Sequence, residues 1–376
     1  MIEYIEVREA KSRELIGIVD TAKSVIWHSV YYGAGDFEVY APCTAENIAM
    51  LTAGNYITRS DNEDIGIIEK ISVQYDPQDG RMIVASGRFA KSILDRRIIY
   101  TRSGNSVSAT ILRGNVETAV RKLVSDNAIN CAFDSARNMS NLVLGAVAGM
   151  SAVIVDETGA TAEKQVTHDE LLTYSDALLE EYELGARCVL NDALKLAYIV
   201  YGGKDCSIDN TSGNSPVIFS QDFDNLLTSE YTADQTALKN TALIGGEGEG
   251  VKRFHTIIKD SALTGENRRE TFVDASSLSK TYKDENDVEQ TLTDAEYTQQ
   301  LKSLGRQTLA GLTIIETFDG SIDLTNGSFK YGTDYSLGDI VTIQDIEIGL
   351  YINPRILEIT EVQDENGYQI EAIYGK

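Results

Sequence analysis

The sequence contains few of the residues from which metal sites, disulfides and nucleophilic active sites are built. Among 376 residues there are four cysteines, three histidines and one tryptophan. The cysteines are far apart (Cys43, Cys131, Cys188 and Cys206) and form no CxxC pair, which excludes zinc binding at the usual ligand spacing. We therefore expect buried, reduced thiols, as in a protein that assembles in a cytoplasm.

Basic residues are also in the minority. The chain has 33 lysines and arginines against 58 aspartates and glutamates, which gives a formal net charge of −25 and a pI near 4.5. Binding to nucleic-acid phosphates or to an anionic membrane surface requires clustered basic residues, so neither is expected. Solubility is the simplest explanation of the negative charge.

Long apolar segments are missing as well. The uncharged stretch 142–155 spans 14 residues, which is too short to cross a bilayer. Because it contains Gly145 and Gly149, we expect a pair of buried strands or a loop edge there. The first residues are acidic where a signal peptide is basic and then apolar, so neither a signal peptide nor a membrane anchor is expected.

Two motifs resemble ligand-binding loops but lack the residues that such loops require. The glycine-rich stretch 244–250 has two glutamates that would repel a phosphate, and no GK[ST] follows it. We interpret it as a hairpin or loop tip. The acidic run 284–289 has Val288 and Glu289 where a helix–loop–helix calcium loop needs an acceptor and a glycine. It is interpreted as a solvated turn.

No catalytic arrangement can be assigned from the sequence. His28, His168 and His255 lie near no nucleophile motif, and each is interpreted as an ordinary surface or core imidazole. With 58 carboxylates, a pair at glycosidase separation would occur by chance and cannot be chosen from sequence. We therefore predict no catalytic, cofactor-binding or metal-binding residue, and a protein that is not an enzyme.

An aromatic cluster near the N-terminus allows two interpretations. It consists of Trp27, Tyr31, Tyr32, Phe37 and Tyr40. Such residues most often fill the core and edges of a β-barrel, and this is the favoured interpretation. The alternative is a platform on which a sugar ring stacks.

Alternation of apolar residues predicts that residues 1–110 are mostly β-structure. The alternating residues are Ile65, Ile67, Ile71, Val73 and Tyr75, the period of a strand with one buried face. Turn residues follow at 76–80, and residues 82–85 are the predicted partner strand. In the C-terminal part, Asn326-Gly327 and Asn366-Gly367 predict tight turns between strands.

Four segments carry the signals of helix starts. These signals are an N-cap at Thr44, an N-cap at Asn115, a capping box at 167–170 and a capping box at 293–296. In the first helix we expect Ile48 and Leu51 to be buried. Gly54, Gly185 and Gly311 are the expected stops of the first, third and fourth helices.

The most distinctive stretch is residues 331–343, Tyr-Gly-Thr-Asp-Tyr-Ser-Leu-Gly-Asp-Ile-Val-Thr-Ile, which we term the signature run. It resembles the Y-G-x-D-Y-x-L-G-D-x-V run of a family of siphovirus and prophage tail hub proteins, which close the distal end of the tail tube. Shorter blocks resemble this family in the same order. They are residues 24–27, 31–32, 35–39, 68–69, 87–88, 94–98, 217–220, 224–226, 240, 245–250, 355 and 366–368.

The resemblance implies a fold like that of a phage baseplate hub. The strand and helix signals by themselves indicate an α+β class, β-rich at both ends with helices between. The resemblance adds that the fold is multi-domain, with two β-barrels similar to the tail-tube protein and with inserted helical or mixed domains. The expected division is a first barrel at 1–110, a mixed insertion at 111–190, strands of the second barrel at 191–260, a helical and loop accessory segment at 261–325, and a C-terminal β segment at 326–376.

The resemblance also implies a structural role. The chain would form a hub, as a homotrimer, that caps the tail tube, anchors tip proteins and serves as a conduit for DNA ejection. Its expected partners are a tail-tube or distal tail protein and tip fibre, spike or lytic proteins. DNA would pass the lumen without specific binding. The expected location is the tail tip of the virion, after assembly in the cytoplasm of the bacterial host.

The candidate interaction residues are aromatic or basic. Trp27, Tyr31 and Tyr32 are the aromatic candidates. Arg96 and Arg97, beside a predicted hydrophobic strand, are candidates for ion pairs between subunits. Two alternative functions remain at this point: a tip protein that binds carbohydrate or a receptor through the aromatic cluster, and a cell-wall hydrolase with a carboxylate pair.

Overall fold

The computed structural model is built mainly of β-strands and describes residues 2–103, 106–156, 159–283, 288–322, 329–347 and 349–375. In these residues the α-helices are α1 (Ala45–Met50), α2 (Val116–Val124), α3 (Leu171–Glu181) and α4 (Asp294–Ala310). Shorter 3-10 or π-helical segments are Ala90–Arg96, Ser125–Ile129, Ser135–Arg137, Gln221–Phe223, Gly250–Lys252 and Gly265–Asn267. The fold is therefore mixed, with mostly sheets and few helices.

The strands are short and are numbered in chain order. The first half of the chain contributes β1 (Ile5–Arg8), β2 (Leu15–Val19), β3 (Ser24–Val30), β4 (Asp36–Pro42), β5 (Tyr56–Arg59), β6 (Asn62–Ile67), β7 (Lys70–Asp76), β8 (Gly80–Arg88), β9 (Thr101–Ser103), β10 (Ser106–Ser108), β11 (Thr110–Arg113), β12 (Leu142–Leu144) and β13 (Glu163–Val166). The second half contributes β14 (Gly185–Leu190), β15 (Leu196–Tyr201), β16 (Ile218–Ser220), β17 (Leu226–Asp234), β18 (Thr241–Gly245), β19 (His255–Ile258), β20 (Glu270–Asp274), β21 (Thr281–Lys283), β22 (Glu289–Thr291), β23 (Ile315–Ile322), β24 (Thr342–Asp345), β25 (Leu350–Ile352), β26 (Arg355–Asp364) and β27 (Gly367–Gly375).

One sheet of eight strands joins the two ends of the chain. Its strand order is β17-β23-β27-β26-β3-β4-β8-β7, and every neighbouring pair is antiparallel. At its centre the C-terminal strand β26 pairs with the N-terminal strand β3, from Glu358 opposite Val30 to Gln363 opposite Val25. The two ends of the sequence therefore form one continuous layer.

The strands β1 to β8 form the first β-module. The small sheet β2-β1-β5-β6 faces strands β3, β4, β8 and β7 of the large sheet. Between them lies a core that includes Trp27, Phe37, Ile57 and Ala85. Alternate residues of β3 and β4 are buried, which is the period expected when one face of a strand packs on a core.

The strands β16, β17 and β23 to β27 form the second β-module. Here the small sheet β16-β24-β25 faces strands β17, β23, β27 and β26. The core includes Phe219, Phe318, Ile359 and Tyr374, all nearly or fully buried. The two β-modules thus share the large sheet but have separate cores.

Two regions with cores of their own interrupt the β-modules. In the first inserted region, residues 90–201, helices α2 and α3 pack with β14 and β15 around residues such as Leu178. In the second inserted region, residues 241–310, helix α4 packs through Tyr297 on the sheet β19-β18-β20. The division of the chain into domains at the boundaries expected from the sequence stays a prediction.

The two barrels implied by the resemblance are not closed within the described residues. The large sheet ends at β17 and β7, and the small sheet of the first β-module ends at β2. Strand β6 pairs with β5, and after Ile68 and Glu69 the chain continues as β7, which pairs with β8. This bend joins the two sheets of the first β-module along one side only.

Three of the four predicted helix starts are confirmed. Thr44, Asn115 and Thr293 each accept a hydrogen bond from the backbone N–H three residues further on. Thr293 also completes the predicted capping box with Glu296. Helix α4 ends at Ala310 with Gly311 as its C-cap, as predicted.

The capping box predicted at 167–170 is wrong. Helix α3 begins at Leu171, and its N-cap residue, Glu170, makes no side-chain cap. His168 has a φ of 65°, and its backbone N–H donates to the carbonyl of Ile99. Pairing with a distant segment therefore replaces the local cap. Gly185, the predicted helix stop, instead begins β14.

Two expectations of burial are also wrong. On α1, Ile48 is 48% exposed, whereas Asn47 is buried and donates to Thr21 and to the carbonyl of Pro42. On β7, Val73 and Tyr75 are 54% and 75% exposed. The alternation correctly predicted β-structure, but the residues lie on two strands, β6 and β7, and not on one. Strand β7 is an edge strand, and its burial depends on the layer that faces it. Leu51 is buried as expected.

Most predicted turns are confirmed. Residues 76–80 join β7 to β8, Asn366-Gly367 joins β26 to β27, and the glycine-rich stretch lies in the loop of the β18–β19 hairpin. In 142–155, strand β12 is followed by a loop. Asn326-Gly327 and residues 284–287 of the acidic run lie outside the described residues. In the part of the chain that the structure describes, no helix has the length and apolar character needed to cross a membrane.

Candidate functional site at the junction of the two β-modules

A histidine bridges the two β-modules beside the β3–β26 ladder. His28 Nδ1 lies 3.0 Å from Asp36 Oδ2 of the first β-module, and His28 Nε2 lies 2.8 Å from Glu358 Oε2 of the second. Burial lowers the pKa of His28, but its hydrogen bonds to Glu358 and Asp36 raise it by more, so the net pKa lies above the usual value. The imidazolium form therefore links the two β-modules.

A buried ion pair crosses the same junction. Arg59 of β5 donates from Nη1 and Nη2 to both carboxylate oxygens of Glu361 on β26, at 2.8 and 2.9 Å. The two side chains are only 2% and 3% exposed. Arg59 also donates to both oxygens of Asp61, at 2.9 and 2.8 Å. Two carboxylates thus accept from four of the five N–H donors of one guanidinium group, which fixes its plane.

Aromatic residues enclose this ion pair. The Arg59 guanidinium lies 5.3 Å from the ring centroid of Trp27, and the Tyr368 hydroxyl donates to Glu361. Burial lowers the pKa of Arg59, whereas the hydrogen bonds to Asp61 and Glu361 raise it by more, so Arg59 stays charged. The charges are satisfied internally, as a buried pair requires.

The signature run forms the second-module side of the junction. Gly338 has a φ of 90°, and a Cβ atom there would lie 2.3 Å from Cε2 of Tyr31. A Cβ atom on Gly203 would lie 1.7 Å from the Gly338 carbonyl oxygen. The carboxylate of Asp339 accepts from the backbone N–H groups of Lys204 and Ser336, at 2.7 and 2.8 Å. These glycines and this aspartate are therefore needed for close packing.

The first inserted region is attached at the same place. Arg355 donates to the Gly338 carbonyl and to the Glu183 carboxylate, both at 2.7 Å. The Tyr31 hydroxyl donates to the Glu183 carbonyl at 3.0 Å and accepts from the Gly203 N–H at 3.2 Å. The Arg355 guanidinium lies 5.6 Å from the Tyr31 ring centroid. Three parts of the chain therefore meet around Tyr31.

This arrangement holds parts of the chain in fixed relative positions. Its charged groups are paired with each other, and its glycines permit backbone contact. Among the described residues, no group of three or more histidine, cysteine, aspartate or glutamate side chains is arranged to hold a metal ion. The contacts of the junction thus serve to hold the two β-modules and the first inserted region together.

The structure separates the aromatic candidates from the basic ones. Trp27 and Tyr31 are fully buried, and Tyr32 is half-buried against Tyr31, with ring centroids 4.8 Å apart. Trp27 and Tyr31 are thus not exposed for stacking with a sugar. Arg96 is exposed at the end of a 3-10 segment and not beside a strand, and Arg97 follows it. Their role in contacts between subunits stays a prediction.

Sequence reasoning did not predict the ion pairs of the junction, although Arg355 was noticed as part of the family pattern. Arg59 and Glu361 are 302 positions apart, and Arg355 and Glu183 are 172 apart. No local pattern indicates such pairs, because each residue alone resembles a common surface charge. The glycines and the aspartate of the signature run were noticed as a family pattern, but their contact with Tyr31 was not predicted.

Comparison with known proteins identifies the family. A family model described as "Siphovirus ReqiPepy6 Gp37-like protein" matches residues 4–376, almost the whole chain. The chain belongs to this family of siphovirus tail proteins. No curated protein matches the sequence.

Solved structures of tail proteins share the fold of this family member. The tail protein from Neisseria meningitidis MC58 is 14% identical, with a TM-score of 0.56 over 99% of this chain and 96% of the other. The 43 kDa tail protein of prophage MuSo2 from Shewanella oneidensis is 12% identical, with a TM-score of 0.56 over 99% and 98% of the two chains. At this identity the likeness concerns the fold, and it extends along both chains.

Proposed function

We propose that the chain is a structural hub at the distal end of a siphovirus tail, where three copies form a ring that caps the tail tube. Family membership supports the place in a tail. The main observation that supports a ring is the large sheet. In the described residues it has eight antiparallel strands, and its two edge strands, β7 and β17, are open.

An even number of antiparallel strands makes the two edges compatible. Because directions alternate along the sheet, β7 and β17 run in opposite directions. Rotation about an axis along the strands leaves these directions unchanged, so β7 of one copy meets β17 of the next in antiparallel orientation. Such head-to-tail contacts close into a ring when the rotation closes.

The edges also carry complementary side chains. Val73 and Tyr75 on β7 and Tyr231 on β17 are exposed apolar residues. In antiparallel pairing, Lys70 at the start of β7 lies towards the end of β17, where Asp234 is exposed. Edge strands readily pair with a further strand, and opposite charges across the pair favour it.

A ring of three copies would enclose a wide channel. Three sheets of eight strands give 24 strands (3 × 8), and at about 4.8 Å between strands the circumference is about 115 Å and the diameter about 37 Å. Closed barrels of 16–18 strands already leave an aqueous channel. Three copies carry a formal charge of −75 (3 × −25), which would keep DNA mobile during ejection.

The remaining parts of the proposal concern partners and place. Each copy would contribute two modules similar to the tail-tube protein, so that a trimer continues a sixfold tube. The tail-tube or distal tail protein would bind on one side, and tip fibre, spike or lytic proteins on the other. Assembly would occur in the host cytoplasm. The role is structural and not catalytic.

Cross-linking in purified particles tests the ring. A variant with Tyr75→Cys and Tyr231→Cys, treated with a short bismaleimide, is expected to give dimers and trimers, with an upper band at about 124 kDa (3 × 41.2 kDa). The two variants with only one introduced cysteine, Tyr75→Cys or Tyr231→Cys, are the matched controls, because they contain the same four native cysteines. A ladder that extends beyond three copies, or no band above the monomer, would contradict the closed trimer.

A further inference from the structure

Three neighbouring arginines lie in the first inserted region. Arg97 donates from Nε to the carbonyl of Arg137 and from Nη1 to that of Arg96, both at 2.8 Å. Arg137 donates from Nη2 to the carbonyl of Ile98 at 2.6 Å. These bonds bring the side chain of Arg97 to the backbone of Arg137 and the side chain of Arg137 to the backbone of Ile98, with Arg96 exposed beside them. We term the three residues the arginine cluster.

Aromatic rings support one member of the arginine cluster. The Arg137 guanidinium lies 5.3 Å from the ring centroid of Tyr100 and 5.7 Å from that of Phe133. The two rings meet edge to face, with centroids 4.9 Å apart. A stacked guanidinium loses little conformational freedom when it binds a carboxylate through two parallel hydrogen bonds.

In the described part of the chain no carboxylate forms an ion pair with the arginine cluster, although Arg96 is near enough to Glu69 to help Arg88 lower the pKa of that carboxyl. Eight other arginines there form ion pairs: Arg8, Arg59, Arg88, Arg113, Arg187, Arg253, Arg268 and Arg355. The nearby Asp134 accepts from the Ala136 N–H, and Glu69 is engaged by Arg88. In a chain with 58 acidic and 33 basic residues, adjacent unpaired arginines are unexpected.

The surroundings favour an anion. Nε of Arg137 is buried and has no hydrogen-bond partner. Burial and the positive charge of Arg137 both lower the pKa of Arg97. A bound anion would reduce the repulsion between the guanidinium groups of Arg97 and Arg137 and would accept hydrogen bonds from them.

We propose that the arginine cluster is a binding site for a carboxylate-rich segment of a neighbouring protein chain. A protein segment is favoured over nucleic acid because the net charge of −25 repels a polyanion along its whole length. This site goes beyond the proposed hub. The carboxylate-rich segment could belong to a second copy of this chain or to another tail protein, and the experiments below distinguish the two.

Peptide binding to the full chain tests this site. A fluorescent hexaglutamate peptide is expected to bind at low salt and to bind more weakly as salt is added. The Arg97→Ala/Arg137→Ala variant should bind at least about tenfold more weakly, because two charge-assisted interactions are lost. Arg113→Ala is the matched control, since Arg113 lies in the same region, is 73% exposed and pairs with Glu163. Its affinity should equal that of the wild type.

Three control measurements could disprove binding of carboxylates at the arginine cluster. Equal binding of hexaglutamine, or full binding by the double variant, would remove the site. Tighter binding of a short DNA duplex would assign it to nucleic acid instead. Circular dichroism checks the fold, and Arg137→Lys, which keeps the charge but not the planar fork, should also weaken binding.

Sedimentation distinguishes the two sources. If the wild type self-associates and the Arg97→Ala/Arg137→Ala variant does not, a second copy supplies the carboxylates. If both remain monomeric while hexaglutamate binding depends on the arginines, another chain supplies them. The particle cross-linking through Tyr75 and Tyr231 reports on the ring independently, so the two proposals can fail separately.

Discussion

At the scale of single residues, the junction depends on charges that are removed from water. Arg59 and Glu361 are nearly fully buried, and each has further hydrogen bonds, to Asp61 and from Tyr368 respectively. Desolvation of such a pair costs several kcal/mol, and attraction between the partners offsets that cost only while both are present. We therefore infer that the pair adds little net stability and that its role is to fix how the two β-modules meet.

Removal of one partner of this pair should be strongly destabilising. Arg59→Met leaves Glu361 buried without its counter-charge, and we expect a loss of about 3 kcal/mol in the free energy of unfolding. The double variant Arg59→Met/Glu361→Met leaves no unpaired buried charge, since the remaining partner, Asp61, is 48% exposed, and it should be more stable than the single variant. Urea unfolding measures both. A double variant as unstable as the sum of the two single variants would disprove the coupling.

His28 should make stability depend on pH near neutrality. Its folded-state pKa lies above the ordinary value of 6.5, because its hydrogen bonds to Glu358 and Asp36 outweigh the effect of burial. A raised pKa means that the folded chain binds the proton more tightly than the unfolded chain does. The contribution is therefore fully present below pH 6.5 and is lost as the pH rises through the raised pKa.

Urea midpoints across this pH range measure the effect of His28. The wild type should lose stability relative to His28→Gln as the pH rises from about 6 to about 9. Glutamine does not titrate, so the variant supplies the baseline for all other groups. A constant difference between the two proteins over the whole range would show that His28 contributes no pH dependence.

At the scale of elements, the signature run shows why a family pattern contains glycine. Gly338 and Gly332 both have positive φ, 90° and 77°. A Cβ atom at Gly338 would overlap the Tyr31 ring, whereas a Cβ atom at Gly332 has no heavy atom within 4 Å. Backbone conformation explains both glycines, but only Gly338 is also required by packing.

These two glycines give a matched pair of variants. Gly332→Ala should cost about 1 kcal/mol, from backbone strain alone. Gly338→Ala should cost at least about 2 kcal/mol more, because Tyr31 or the signature run must move. Thermal and urea unfolding of the two variants measure the difference. Equal losses would mean that the packing against Tyr31 does not limit this position.

The elements were predicted where the signal is local. Caps at Thr44, Asn115 and Thr293 satisfy backbone groups within one turn, so the sequence alone reveals them. The capping box predicted before α3, at residues 167–170, was wrong because the backbone of His168 pairs with the distant residue Ile99. Burial of Val73 and Tyr75 was wrong because exposure of an edge strand depends on what lies opposite it.

At the scale of the whole molecule, the central feature is the pairing of β3 with β26. No pattern in the sequence of β3 or β26 indicates which strand it pairs with, so the eight-stranded sheet could not be predicted from periodicity. The buried pair Arg59–Glu361 follows from that pairing and was missed for the same reason. The family resemblance predicted the tail-protein fold because it depends on the order of short blocks over the whole chain.

Immunogold labelling of purified virions tests the central claim most directly. With an antibody against this chain, the account predicts gold at the distal end of the tail, where the tube meets the tip. Particles with disrupted tips provide the comparison that exposes a buried epitope. Label along the whole tail or at the head-proximal end, or no label on either preparation, would contradict a hub at the tail tip.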